Sequence, residues 1–179
     1  MNATTDLNSL RMSISYRATP SKAGWHVLVA IVVATALAAV AGSVASLHAP
    51  EFYAQLTKPS WAPPAWVFGP VWTVLFMMMA LAAWLVVKAR PLEDSRSEMS
   101  LYGVQLVANA LWTWLFFRWN MGAAAFAEVL VLFVLVALTA RAFYRGKRLS
   151  GWLMVPYIVW VAFASVLTYT VWQLNPGTL

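Results

Sequence analysis

Long apolar segments alternate with short polar ones along almost the whole chain. Five apolar segments, near residues 26–47, 66–88, 100–118, 122–143 and 151–174, are each about 20 residues long, which is the length a helix needs to cross a ~30 Å hydrocarbon core. The pattern therefore predicts an all-α membrane protein, a bundle of five transmembrane helices. The polar stretches between the segments are too short for a soluble catalytic domain.

The connection between the first two segments is unusually rigid and aromatic. Residues 58–68 hold three prolines, two tryptophans and one cation. Proline fixes φ and lacks an N–H, so this connection is expected to be neither a helix nor a paired strand. Indole rings suit a bilayer interface or a stacked ligand. We expect a lid over a cavity in the bundle, shaped by Trp61, Pro59, Pro63 and Pro64 with Lys58 at its rim.

Composition and charge add an orientation. Apolar residues make up 62% of the chain and charged residues 10%, against roughly 25% charged in soluble domains. The polar N-terminal region and the second and fourth connections carry ten Lys and Arg residues, whereas the opposite face receives only Lys58 and Arg118. This bias predicts a bacterial inner-membrane protein with a cytoplasmic N terminus and an outward first loop. The net charge of +6 favours anionic lipid headgroups over nucleic acid as a partner.

Residues 1–25 are polar and moderately basic, and we predict a disordered tail ahead of a helical domain over residues 26–176. A cleaved signal peptide is the alternative, although the apolar run of about twenty residues is longer than most signal-peptide cores. The chain has no cysteine, and His26 and His48 lie near opposite ends of one segment. We therefore expect no metal site and no required cofactor.

Small residues recur at every fourth position of the first segment: Ala30, Ala34, Ala38, Gly42 and Ser46. Such a strip lets helix backbones approach closely in lipid. It is expected to face either a neighbouring helix of the same chain or a second protomer.

Deeper in the spans, aromatic and amide side chains indicate a pocket. Gln105, Asn109, Trp112 and Phe116 stand at i, i+4, i+7 and i+11, which places them on one helix face. Such a stripe suits an apolar pocket with a few placed polar groups, or alternatively hydrogen bonds between helices. Two further sets share a helix face: Trp72 with Phe76, and Tyr157 with Trp160 and Ala164.

Glu128 is the one acidic residue inside a predicted span. An intramembrane carboxylate is a functional candidate by default; the alternative is a carboxyl group that is protonated or hydrogen-bonded to a neighbouring helix or water. The spans contain no nucleophile–base pair, metal cluster or nucleotide loop, so no conventional enzyme is expected.

Taken together, these motifs resemble the pattern of the TspO/MBR family, which comprises bacterial tryptophan-rich sensory proteins and the mitochondrial translocator protein. The resemblance covers residues from about 26 to 176 and rests on residues 56–64, 67–68, 71–73, 105–106, 109, 112–113, 116–117, 156–157, 160, 163–164 and 174–175.

This resemblance implies a five-helix bundle, usually a homodimer, with a pocket capped by the first loop. Family members bind porphyrins, haem and benzodiazepine-type ligands, and some bind cholesterol. The implied function is a membrane receptor, sensor or carrier for a tetrapyrrole or another apolar aromatic molecule; light-dependent porphyrin degradation and a structural scaffold are the alternatives. The pocket residues implied by the match are Tyr53, Trp72, Phe76, Asn109, Trp112, Trp160 and Ala164.

Two positions depart from the family pattern. Animal members carry a cholesterol-recognition stretch on the last segment, and here Gln173 stands where that stretch has a cation. The pattern is weak even when complete, so a sterol is not predicted as the natural ligand. Thr168 replaces an asparagine common in the family.

Overall fold

The computed structural model describes residues 24–90 and 92–179, and within them all regular structure is helical. The predicted tail, residues 1–25, lies outside the described residues except for its last two. In chain order the helices are α1 (Trp25–Ala45), α2 (Ala49–Gln55), α3 (Phe68–Ala89), α4 (Arg96–Thr113), α5 (Gly122–Gly146), α6 (Arg148–Leu153) and α7 (Val155–Leu174). Short 3₁₀ turns lie at Ala65–Val67 and Glu93–Ser95, and a π turn, Trp114–Arg118, extends α4.

Among the described residues, four helical stretches are long and apolar enough to cross a membrane: Trp25–Ala45, Ala65–Ala89, Gly122–Gly146 and Arg148–Leu174. They correspond to the first, second, fourth and fifth predicted spans. The third predicted span corresponds to α4, which is not one of the four. Its first turn holds Arg96 and Glu98 and its middle holds two amides, so its composition is less apolar than that of the other long helices.

The last predicted segment is divided in two. The helix breaks at Met154, between α6 and α7, and Pro156 lies in the first turn of α7. Proline is tolerated there because the first N–H groups of a helix have no partner within the helix. The break lets α6 pack against α3 while α7 packs along α5.

The bundle is packed tightly at one end and loosely at the other. In the C-terminal half of α3, Met79, Ala82, Ala83 and Val86 are fully buried against the core. In the N-terminal half, which follows the first loop, Trp72 is only partly buried. The space that this leaves lies at the first-loop end of the bundle.

An ion pair links α3 and α4 at the opposite end of the bundle. Arg90 follows α3, and its guanidinium lies 2.6 Å from the Glu98 carboxylate on α4. Burial alone would raise the pKa of Glu98, but hydrogen bonds from its own backbone N–H and from Ser97, together with the charge of Arg90, outweigh burial and hold this pKa below its ordinary value. This carboxylate is therefore ionised at neutral pH.

Candidate ligand-binding site

A cavity of about 620 Å³ lies at the loosely packed end, between α1, α3 and α4 and beside α2. Ligand pockets in proteins typically measure about 300–1,000 Å³, so a small molecule fits in this space. Five of the predicted pocket residues line it: Tyr53, Trp72, Phe76, Asn109 and Trp112.

Trp72 is the centre of the aromatic wall. Its ring centroid lies 5.8 Å from that of Phe76, 6.0 Å from Tyr157, 6.4 Å from Trp112 and 6.5 Å from Trp160. These separations are within the range in which aromatic rings attract each other. The rings thus form a continuous apolar surface that reaches from the cavity towards α7.

A second, much smaller cavity of about 20 Å³ lies behind this wall. Three further predicted residues border it: Phe116, Trp160 and Ala164. Thr168, which is buried, borders it as well. Five aromatic residues line both cavities and so form the partition between them: Tyr53, Phe68, Trp72, Trp112 and Phe117.

The two amide residues predicted to share one helix face, Gln105 and Asn109, differ in role: one lines the cavity and the other does not. Asn109 lines the large cavity, and its Nδ2 also donates to the Tyr157 hydroxyl across the helix interface, at 2.9 Å. Gln105 lines neither cavity; it is fully buried, with its Nε2 3.7 Å from the Met79 sulfur. Tyr157 likewise lies behind the cavity wall. Asn109 therefore serves both as a pocket residue and as a link between α4 and α7.

None of the predicted lid residues is in the lining of the large cavity. Lys58 Nζ donates to the backbone carbonyls of Tyr53, at 2.5 Å, and Leu56, at 2.8 Å, and lies 4.9 Å from the centre of the Tyr53 ring. The Tyr53 hydroxyl donates to the Pro63 carbonyl at 3.1 Å, and burial raises the pKa of Tyr53, which keeps it a neutral donor. The backbone carbonyls of Pro59 and Pro64 each accept a hydrogen bond from a backbone N–H three residues later, so a turn begins at each of these prolines.

Two further contacts fasten the first loop to α7. Trp61 packs edge-on against Phe163, with ring centroids 5.9 Å apart. Asn175, just past the end of α7, accepts from the Thr57 backbone N–H at 2.8 Å and donates to the Thr57 carbonyl at 2.9 Å. The first loop is therefore attached to the end of α7 at its beginning and to Phe163 at its middle.

Sequence reasoning missed several residues of the cavity wall, above all on α1. Gly42 and Ser46 belong to the predicted strip of small residues, but they line the cavity, whereas Ala30 and Ala34 are exposed and Ala38 is buried. The strip of small residues was itself a signal of the cavity, because small side chains leave room for a ligand as well as permit close packing of helices. The other missed wall residues are Ala39, Ser43, Ala49, Pro50, Ala65, Trp66, Phe68, Gly69, Thr73, Met77, Thr113 and Phe117.

The π turn after α4 explains the absence of Phe117 from the prediction. Phe116 and Phe117 are neighbours in sequence, yet both border a cavity, with ring centroids 4.9 Å apart. The prediction extended a 3.6-residue period through Phe116, whereas the period changes after Thr113. Such π turns are rare and frequently occur at functional sites.

Electrostatically, the site is neutral. Neither cavity has a charged side chain in its lining. Both carboxylate oxygens of Glu128 are buried without a hydrogen-bond partner among the described residues, and Glu128 lies outside both linings. The part of a ligand that enters the cavity is therefore expected to be uncharged.

The TspO/MBR family model matches residues 28–173, which include every cavity-lining residue. The chain belongs to the TspO/MBR family. Tryptophan-rich protein TspO of Chlorobaculum tepidum is 39% identical over 129 residues, 70% of this chain and 80% of that protein. The tryptophan-rich sensory protein of Cereibacter sphaeroides is 37% identical over 151 residues, which cover 84% of this chain and 92% of that protein.

Likeness within the TspO/MBR family extends to animals. The human translocator protein is 37% identical over 129 residues, which cover 71% of this chain and 76% of that protein. Family membership and the four apolar helical stretches together make the chain an integral membrane protein.

Proposed function

We propose that this TspO/MBR protein is a membrane receptor, sensor or carrier that binds a porphyrin, haem or a related tetrapyrrole in the large cavity. The observation that carries the proposal is an uncharged cavity of about 620 Å³ with one wall of packed aromatic rings. A flat apolar macrocycle gains most from such a wall, because it can stack on indole and phenyl faces over a large area.

The distribution of charge gives the ligand an orientation. The cavity lining holds no charged side chain, so the carboxylates of a porphyrin must remain outside it. Lys58 lies in the first loop, where two of the three donors of its ammonium group are used by backbone carbonyls. The remaining donor suits a ligand carboxylate at the loop end.

We also propose that α4 is the fifth transmembrane helix, so that the family fold is complete. Its amides face inward, and Gln105 and Asn109 are buried. Its outward face is apolar, since Val104, Val107 and Leu111 are exposed. A helix with this division is compatible with lipid despite its modest mean hydropathy.

We further propose that the first loop acts as a lid, that the protein is a homodimer, and that it lies in a bacterial inner membrane with a cytoplasmic N terminus. Charge supports the orientation, because ten cations lie on one predicted face and two on the other.

Titration in the dark tests binding. The purified protein in lipid nanodiscs is titrated with protoporphyrin IX, and the porphyrin absorption band is followed for wild type, Trp72→Phe and the control Trp152→Phe, whose indole is 64% exposed. Saturable binding is expected, and Trp72→Phe is expected to weaken it by about two- to tenfold because one stacking surface shrinks. The control is expected to bind as wild type does. Absence of saturable binding would refute the proposal and leave the scaffold alternative.

Light-dependent porphyrin breakdown, with dioxygen as the oxidant, is the second candidate. The observation that favours it is the proximity of oxidisable rings: Trp112 and Trp160 lie 6.4 and 6.5 Å from Trp72. Illumination of the same samples in air tests it. Loss of the porphyrin band that is slower in Trp72→Phe would support an enzyme-like role, and equal loss in protein-free nanodiscs would argue against one.

A further inference from the structure

We propose that the ligand enters and leaves the cavity sideways from the bilayer, through a gap between α1 and α3, and that the first loop stays closed during exchange. This inference rests on the proposed ligand binding and adds its route and its source, a molecule already dissolved in the membrane. The gap is defined by four lining residues that are themselves exposed: Ser43 on α1, and Gly69, Thr73 and Met77 on α3.

The gap is open at its first-loop end, where Gly69 lies in the first turn of α3. A Cβ atom placed on Gly69 would meet nothing within 4 Å. The hydroxyls of Ser43 and Thr73 donate to the carbonyls of Ala39 and Gly69, four residues earlier in their own helices, at 2.8 and 2.9 Å. Their hydrogen atoms are thus satisfied without water, so an apolar molecule can pass between them at low cost.

The gap reaches well into the apolar part of the bundle. Met77 lies nine residues after Phe68, where α3 begins, and this separation corresponds to about 13 Å along the helix. The neighbouring exposed side chains are apolar: Val40 and Val44 on α1, and Val74 on α3. Such a side opening faces hydrocarbon and not water when the bundle is in a membrane.

The alternative route, past the first loop, would break contacts that the sideways route leaves intact. Opening the loop separates Asn175 from Thr57, where two hydrogen bonds measure 2.8 and 2.9 Å. It also separates Trp61 from Phe163 and the Tyr53 hydroxyl from the Pro63 carbonyl. The side gap is already exposed, so exchange through it needs none of these to open.

Exchange kinetics test the route. Binding of protoporphyrin IX to the protein in nanodiscs, and its displacement, are followed by stopped flow for wild type, Gly69→Trp and Gly103→Trp. Gly103 is the matched control, a helical glycine on α4 that is exposed and likewise has open space at its Cβ position. An obstructed gap is expected to slow association and dissociation together in Gly69→Trp, by about tenfold, with the Kd changed much less. Gly103→Trp is expected to exchange as wild type does.

A second variant allows obstruction after folding. Because the chain has no cysteine, Ser43→Cys can be labelled with a small or a bulky thiol reagent once the protein is folded. Only the bulky label is expected to slow exchange. A third variant, Asn175→Ala, loosens the loop and is expected to leave both rate constants unchanged.

The outcomes separate the two proposals. If wild type shows no saturable binding, the proposed function is wrong. If wild type binds but both Gly69→Trp and bulky-labelled Ser43→Cys exchange at wild-type rates, only the side route is wrong. Faster exchange in Asn175→Ala would also overturn it, because the loop would then control entry.

Discussion

The hydrogen bond between α4 and α7 beside the cavity offers a direct test of how this bundle is held together. Asn109 Nδ2 donates to the Tyr157 hydroxyl at 2.9 Å. Tyr157→Phe removes only the hydroxyl and keeps the ring 6.0 Å from Trp72. The amide then loses its acceptor inside an apolar bundle. We expect the variant to fold normally and to be less stable.

Two magnitudes bound the loss. In water-soluble proteins a buried donor left without a partner costs about 1–3 kcal/mol. Hydrogen bonds between membrane helices average about 0.6 kcal/mol and reach about 1.7 kcal/mol, because the unfolded helices find other partners in the membrane. Asn109 is 3% exposed and Tyr157 0% exposed, so the hydrogen bond is almost fully shielded from bulk solvent. We therefore expect a loss near the upper membrane figure, about 1–1.7 kcal/mol.

A double-mutant cycle measures the pair itself. Tyr157→Phe, Asn109→Leu and the double variant are unfolded reversibly in mixed micelles, and the coupling energy is expected to be about 1 kcal/mol. Tyr144→Phe is the matched control, since its side chain is 43% exposed and its change is expected to stay within about 0.5 kcal/mol. A coupling energy below about 0.3 kcal/mol would show that the two losses are independent and would refute the reasoning.

Three further predictions follow from contacts outside the cavity. In Asn175→Ala, the Thr57 amide proton loses its acceptor. It is expected to exchange with solvent about tenfold faster, which corresponds to the loss of a hydrogen bond that contributes about 1.4 kcal/mol. Unchanged exchange would show that another contact holds the loop. Because the pKa of Glu98 is lowered on folding, its contribution is present above the ordinary Glu pKa and lost as pH falls through the folded value. Thermal stability should therefore fall less steeply on acidification in Glu98→Gln than in wild type, and equal slopes would contradict this. Glu128 has two buried carboxylate oxygens without a partner among the described residues, so Glu128→Gln is expected to leave stability unchanged or raise it by about 1 kcal/mol, since an amide is cheaper to bury than a carboxylate. A clear loss of stability would instead indicate a hydrogen-bonded structural role.

The helices were predictable because the apolar segments are long and their boundaries are marked by charge and proline. The first segment was predicted from residue 26 and α1 begins at Trp25. The connection predicted to be non-helical, residues 58–68, is so only as far as Pro64: Ala65–Val67 form a 3₁₀ turn and Phe68 begins α3. Charged residues also mark the end of the bundle opposite the first loop, where Arg90 and Glu98 form the ion pair.

Side-chain pairing was beyond the reach of periodicity. The helical periodicity of the sequence places Asn109 on one face of its helix, but it does not predict that the Asn109 amide bonds to Tyr157, 48 positions later. The same holds for Lys58, whose ammonium group bonds to two nearby carbonyls. The change from α to π winding after Thr113 has no periodic signal, so Phe117 was missed. These features depend on contacts between helices, which only the folded arrangement determines.

The size of the cavity itself constrains what occupies it. An enclosed empty space of about 620 Å³, at about 24 cal/mol per Å³, would cost about 15 kcal/mol. That is as much as the whole stability of a typical domain, about 5–15 kcal/mol. The cavity avoids this cost because its wall is interrupted between α1 and α3, where Ser43, Gly69 and Met77 are exposed, so an acyl chain can fill the space from the bilayer. With the side entry proposed above, a ligand would compete with lipid and not with water, and its affinity would depend on stacking against Trp72 more than on the release of water from apolar surface.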